Sequence, residues 1–364
     1  MRILLWYWGR RGGGAQFALG LARGLAGRGD VSLELSLSAQ GELLPAFRAI
    51  GVPVHIVRTY RDRLGFVTSL PRMPAVSRAL VDSARGAEVV VSAMTHLWTP
   101  WAAPRLARAG IPYVPVVHDA APHPGDPAFA WDWRLGRELA AARAAVALSG
   151  AVAAELARRA PGLPVIRMPL PALLAAAPAP ARPGATPGEV RFLFFGRLRA
   201  YKGLDLLRDA FALLHARHPG ARLRVVGEGD AEACAPGLAA LPGVTVEPRW
   251  VAEAEIPALL AEADAVVLPY REASQSGVAP QALAMGVPVV ATPVGGLSEQ
   301  VREGAGGVLA AAVTAESLAE AMARLCAPDA LAPLRAEAAR AGRDAADWGA
   351  ASEALVAGLR RVLR

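Results

Sequence analysis

Strand-like and helix-like segments alternate along this chain, stop once at a proline- and alanine-rich stretch, and then alternate again. In the first half the strand candidates are Ile3–Trp8, Val31–Ser36, Val52–Val57, Glu88–Ser92, Tyr113–His118, Ala145–Leu148 and Val165–Met168. Amphipathic stretches such as Gln16–Ala26 and Leu43–Ile50 lie between them. Apolar runs spaced by helices predict parallel sheets covered on both faces. Residues 169–188, PLPALLAAAPAPARPGATPG, have neither a strand nor a helix period and read as a linker. Strands then resume at Val190–Phe195, Arg222–Val226, Val244–Glu247, Ala265–Leu268 and Val287–Ala291. Helices are expected over Gly203–His215, Ala231–Ala240, Ala254–Ala263 and Val278–Met285, with a last one over Asp344–Arg364. Two α/β domains follow, 1–168 and 189–344, with ligands expected at the carboxyl ends of the strands.

Composition narrows the classes. Apolar residues make up 54% and charged residues 20%, which excludes disorder. No uninterrupted run of about 18 apolar residues, the length a spanning helix needs, occurs, so no spanning helix is expected. Residues 2–8 read as a strand rather than a signal peptide. Two cysteines, Cys234 and Cys326, make neither a disulfide framework nor a zinc site, so a reduced, cytoplasmic setting is expected. Residues 1–168 hold 20 arginines against 11 acidic residues, net +9, whereas residues 169–364 are net −2. A basic first half suits an anionic partner, and peripheral contact with the inner face of a membrane is one form of it. Arg61–Arg85, where arginines mix with Phe66, Val67, Leu70, Met73, Val76 and Leu80, reads either as a surface helix or as an interfacial contact. Nucleic acid is disfavoured, because no basic run with interleaved aromatics occurs.

Four places carry candidate chemistry. Gly9–Gly14 puts glycines at a strand-to-helix turn, but the dinucleotide fingerprint and its ribose-binding acid are absent, which argues against a nicotinamide enzyme. The strand at Tyr113 ends in His118-Asp119, where His118 can bond a sugar hydroxyl or move a proton. His123 lies five residues on, with no further metal-ligand pattern and no D-x-D pair. After Phe195 come Gly196, Arg197 and Lys202. Lys202 is the only lysine among 39 basic residues, and a compact ammonium beside an arginine fork suits a diphosphate. Finally, Leu268–Glu299 reads as strand, polar loop, helix, strand, turn and helix. Its loop offers Ser274, Gln275, Ser276 and Gly277 as donors to an anion.

With these motifs in place, the chain resembles glycosyltransferase family 4, enzymes of the retaining, group 1 type. The resemblance rests on the glycine turn after the first strand, on GRLRAYKGLDLL at Gly196–Leu207 and on VVGEG at Val225–Gly229. It rests further on ADAVVLP at Ala263–Pro269, AMGVPVVAT at Ala284–Thr292 and GGLSE at Gly295–Glu299. It implies a GT-B fold: two Rossmann-like α/β domains facing each other across a cleft, with the C-terminal residues 345–364 crossing back to the first domain. It also implies metal-independent transfer of a sugar from a nucleotide diphosphate, UDP before GDP, without a cofactor. The donor would lie on the second domain and a glycan, glycolipid or small-molecule acceptor on the first.

By the same resemblance His118, Arg197, Lys202 and Glu272 would be catalytic. Gly12, Gly13, Gly196, Gly227, Arg249, Ser274, Gln275, Ser276, Gly277 and Gln281 would bind the donor. The family's Glu-x7-Glu pattern departs here: Gln281 stands at its second glutamate and Ala273 at its first, with Glu272 adjacent. Two other functions stay open at this stage. One is an epimerase of the same fold, and the other is a binding subunit that never turns its nucleotide sugar over.

Overall fold

The computed structural model describes residues 1–122, 128–173 and 188–364. His123 and residues 174–187 of the expected linker lie outside the described residues. The chain forms two compact units, residues 1–171 with 348–364, and residues 172–347.

In the first unit the strands are β1 (Arg2–Tyr7), β2 (Ser32–Ser38), β3 (Val54–Val57), β4 (Val89–Ser92), β5 (Tyr113–Val117), β6 (Ala145–Ala147) and β7 (Val165–Arg167). Among the described residues they make one sheet in the order β3-β2-β1-β4-β5-β6-β7, parallel throughout. The helices are α1 (Gly13–Ala26), α2 (Leu44–Arg48), α3 (Arg63–Ser69), α4 (Met73–Ala84), α5 (Thr99–Arg108), α6 (Ala128–Ala140) and α7 (Gly150–Arg159). β1, β4 and β5 are apolar on both faces because helices cover both, and their residues are almost completely buried.

The second unit has β8 (Val190–Phe195), β9 (Ala221–Val226), β10 (Val244–Glu247), β11 (Ala265–Leu268), β12 (Val289–Ala291) and β13 (Gly307–Leu309). Its parallel sheet runs β10-β9-β8-β11-β12-β13. Its helices are α8 (Leu204–Arg217), α9 (Ala231–Cys234), α10 (Ile256–Ala261), α11 (Val278–Ala284), α12 (Leu297–Gln300), α13 (Ala315–Ala323) and α14 (Leu331–Ala345).

Two expectations change in detail. The helix expected over Ala231–Ala240 is split: α9 stops at Cys234, and a 3-10 turn at Leu238–Ala240 follows Pro236 and a left-handed Gly237 (φ 79°). Proline supplies no N–H to continue a helix, and glycine tolerates the reversed φ. The expected terminal helix over Asp344–Arg364 divides at Ala346-Asp347. Its latter part, α15 (Trp348–Val362), belongs to the first unit. There Trp348 meets Phe17 of α1 edge-on at 5.5 Å, and Ser352 Oγ donates to the Gly24 carbonyl at 3.2 Å. Arg360 pairs with Asp30 at 2.9 Å. A Cβ on Gly20 would overlap the Trp348 indole, so the small residue is what lets α15 seat on α1.

Candidate functional site

Each sheet reverses its direction of winding once, between β1 and β4 in the first unit and between β8 and β11 in the second. Loops leaving the two strands at such a switch run to opposite faces and open a crevice at the carboxyl edge. The segments that leave these strands are Gly9–Gly14 after β1, Gly196–Gly203 after β8 and Arg271–Gly277 after β11.

The loop after β8 is held by glycines. Gly196 N–H donates to the Val226 carbonyl at 3.1 Å and Leu198 N–H to Glu228 at 2.9 Å, which extends the pairing beyond β9. The two backbones lie so close that a Cβ on Gly227 would overlap the Gly196 carbonyl. The loop ends in a single 3-10 turn, Ala200–Lys202, and in Gly203 at φ 68°, from which α8 starts. A Cβ on Gly203 would overlap the Pro269 carbonyl, so this loop rests directly on the one after β11. Lys202 Nζ consequently sits 3.7 Å from the Tyr270 ring centroid and 5.1 Å from that of Tyr201. Arg197 and Arg199 are exposed beside it. Among the described residues none of these three cations has a carboxylate partner. By contrast Arg191, Arg208, Arg224, Arg249 and Arg271 are all paired with acids.

The loop after β11 is anchored from two sides. Thr292 Oγ1 donates to the Tyr270 carbonyl at 2.5 Å, and Arg271 pairs with Asp205 at 2.7 Å. The Ser276 hydroxyl accepts from Val278 N–H (3.1 Å) and Ala279 N–H (3.4 Å), which caps α11. Gln300 clamps the same residue: its Oε1 accepts from Ser276 N–H at 2.7 Å and its Nε2 donates to the Ser276 carbonyl at 3.0 Å. The Ser276 amide, expected to face a diphosphate, is therefore taken up by Gln300. Ser274 and Gln275 are half-buried, and Glu272 and Gly277 are exposed. Gln281 is buried in α11, 6% exposed.

The structure thus brings the loop carrying Gly196, Arg197, Lys202 and Gly203 against Gly227 on one side and Pro269–Arg271, the start of the loop after β11, on the other. Arg249 does not join them. It follows β10, two strands from β8, and is held by Glu247 (3.1 Å) and Glu255 (2.9 Å). Those acids lie two residues before and six after it, so the pairing could have been read from the sequence. Gln300, one residue past the GGLSE motif, was missed because its partner lies 24 positions away.

In the first unit Gly12, at φ 76°, turns the chain into α1, which opens at Gly13. His118 follows β5. Its Nε2 lies 2.9 Å from the Ala93 carbonyl, and Phe17 meets the ring edge-on at 4.7 Å. A carbonyl only accepts, so Nε2 carries the hydrogen and Nδ1 is the basic nitrogen. Burial lowers the His118 pKa, against smaller opposing effects of the Ala93 carbonyl and Asp119, and the ring is neutral at pH 7.

A second histidine escaped the sequence reading. His96, after β4, sits among Tyr60 (5.2 Å), Trp98 (5.8 Å) and Trp8 (6.0 Å). Burial, and then the Arg10 and Arg134 charges, push its pKa down to about 3. Beneath it the buried Glu138 accepts from Tyr113 Oη at 2.6 Å and Thr95 Oγ1 at 2.8 Å. Burial raises the Glu138 pKa.

A histidine whose pKa falls on folding stabilises the fold above its unfolded pKa near 6.5. That contribution is lost as pH drops towards the folded value. The stability advantage of the wild type over His96→Asn should therefore shrink between pH 6.5 and 4, by up to about 1.4 kcal/mol per pH unit. Denaturant unfolding of both proteins at several pH values checks this, and comparing the two cancels the opposite trend of Glu138.

Two doubly wound parallel sheets, each with a glycine-built loop at its switch point, define a two-domain α/β binding protein with an unpaired cation cluster on its second unit. Comparison with known proteins makes this specific. Residues 11–168 match the family described as Glycosyltransferase Family 4, and residues 189–327 match Glycosyl transferases group 1. The chain belongs to this glycosyltransferase family and has its GT-B fold.

Among curated relatives, the D-inositol 3-phosphate glycosyltransferase of Segniliparus rotundus is 38% identical over 201 residues, 52% of this chain and 43% of that one. A glycogen synthase of Mycobacterium tuberculosis is 36% identical over 165 residues, 44% of this chain and 39% of that one. The matches thus span less than half the length of these relatives. Among solved structures, Anabaena HepE in complex with UDP and glucose superposes with a TM-score of 0.73 at 19% identity, covering 99% of both chains. Sucrose-phosphate synthase from Thermosynechococcus elongatus superposes at 0.76 and 19% identity, covering 99% of this chain and 98% of that one.

Proposed function

We propose that the protein transfers a sugar, with retention, from a nucleotide diphosphate donor to an acceptor hydroxyl. The donor would be held on the second unit and the acceptor on the first. The observation that carries this reading is the run Arg197–Lys202: three cations without carboxylate partners, in a loop whose glycines fix it against two neighbouring strands. As the anomeric C–O bond breaks, charge builds on the departing diphosphate, and preorganised cations stabilise charge at that place. The acceptor oxygen bonds to the anomeric carbon on the same face, and its proton passes to the leaving phosphate oxygen. His118 is neutral and oriented by the Ala93 carbonyl, and Gly12-Gly13 leave backbone of the first unit open to a ligand. Gly196, Gly227, Ser274, Gln275 and Gly277 shape the donor pocket. UDP is the favoured nucleotide, in keeping with the UDP and glucose bound in the HepE structure. The net +9 first half favours an anionic acceptor, such as those built into cell-surface polysaccharide or glycolipid at the cytoplasmic membrane face.

Thermal shift with UDP-, GDP- and ADP-sugars tests the donor reading. A ligand at 100 times its Kd should add about 2.7 kcal/mol of stability. No shift with any of them would sink the assignment. Binding without turnover on any acceptor would instead favour the non-catalytic reading that Gln281 raises, and interconversion of the free nucleotide sugar would favour an epimerase.

A further inference from the structure

Between Arg58 and Arg85 six arginines face two aspartates, a net charge of +4. Both aspartates are engaged: Asp62 accepts from Gly65 N–H at 2.7 Å as the cap of α3, and Asp82 pairs with Arg85 at 3.1 Å. The segment has two apolar sides. Phe66 meets Tyr60 at 5.1 Å, and Met73 and Val76 pack with it on the core behind β1 and β4. The other side is bare. Leu64 is 75% exposed, Val67 59% and Leu70 36%, at positions i, i+3 and i+6.

A helix that merely covers a core carries polar residues on its outer side. An outward apolar stripe among arginines is the pattern of a helix lying in a headgroup layer. The start of α6 repeats it: Phe129 is 85% exposed and Trp133 42%, with Arg134 and Arg137 in the next turn. α3 follows β3 and α6 follows β5, so both patches lie at the carboxyl edge of the first unit's parallel sheet, the edge at which Tyr60 meets His96 at 5.2 Å.

We propose that this rim, the outer stripe of α3 with the first turns of α6, docks the first unit on a lipid surface rich in anionic headgroups. Charge complementarity selects that occupant. A second copy would set the +4 of Arg58–Arg85 against itself, whereas anionic lipids neutralise it while Leu64, Val67 and Phe129 enter the acyl boundary. Aromatic side chains at the level of the headgroups complete the fit. The surface stands on its own geometry, and only its link to a lipid-borne acceptor rests on the sugar-transfer reading.

Flotation of the full chain with vesicles tests it. The protein should float with phosphatidylglycerol/phosphatidylcholine vesicles, fail to float with phosphatidylcholine alone, and be released by high salt. The double substitution Leu64→Ser/Val67→Ser should weaken binding on the order of tenfold or more with an unchanged thermal transition, and Phe129→Ser should add to the loss. Absence of flotation with anionic vesicles overturns the proposal and leaves a protein partner for the rim. Undiminished binding of the double variant overturns it equally, because another surface then holds the lipid. Vesicle binding needs no turnover, so its failure is separable from failure of the donor reading, which nucleotide-sugar thermal shifts report.

Discussion

Lys202→Ala should lower turnover by about 10²-fold or more while leaving the thermal transition almost unchanged, the loss expected for one preorganised charge contact on a departing anion. Lys202 is partly exposed, makes no ion pair with an acid among the described residues, and is fixed by its approach to the Tyr270 ring. Removing its charge therefore costs the fold little and the reaction much. Lys202→Arg should recover only part of the rate, because a planar guanidinium spreads its charge over a fork where Lys202 presents a compact point charge. Steady-state rates with the donor found by thermal shift, set beside unfolding curves, separate the two effects. Near-normal turnover of the alanine variant would remove the cation cluster from the mechanism.

Gly203→Ala should have the opposite signature, a loss of the fold that takes activity with it. Gly203 has φ 68°, a region costly for a residue with a side chain, and its missing Cβ is what admits the Pro269 carbonyl. Left-handed strain and overpacking each cost about 1–3 kcal/mol, so a combined loss of roughly 3 kcal/mol or more is expected. Gly237→Ala is the matched comparison. Gly237 is also left-handed, at φ 79°, but nothing lies within 4 Å of where its Cβ would stand. Only the strain remains there, on the order of 1 kcal/mol. Chemical denaturation of the three proteins should rank Gly203→Ala well below Gly237→Ala. Equal losses would show that backbone conformation, rather than contact between the two loops, makes glycine necessary at position 203.

The strands were legible because a parallel strand covered on both faces must be a short, nearly unbroken apolar run, as Leu4–Trp6 and Val89–Val91 are. β13 escaped because it is three residues long and is preceded by Gly304 and Gly306 at positive φ, which read as turn. Gly196, Arg197 and Lys202 were legible as residues following a strand. What each glycine touches, however, depends on strand order, and no local pattern encodes that. The same holds for Ser276. Its residue type suits an anion loop, yet its amide is bound by a side chain from α12, a distant partner that only the folded sheet supplies. His96 was overlooked because nothing around it in sequence distinguishes it. Its cage is assembled from the residue just after β1, from the loop after β3 and from its own loop. Arg249 shows the reverse case: its ion pairs with Glu247 and Glu255 are near enough in sequence to be read locally.

The seating of α15 on α1 bears on how the chain is made. Residues 348–364 complete the first unit, but the whole of 172–347 is translated between them and residue 171. At about 5–20 residues per second, the first unit waits roughly 9–35 seconds for its last piece. During that time the groove on α1 formed at Gly20 and Gly24, with Phe17 beside it, stands open on the ribosome. That nascent intermediate offers an apolar slot shaped for one particular helix. It is the stage at which a chaperone, or the wrong helix from a neighbouring chain, would compete for the place of Trp348.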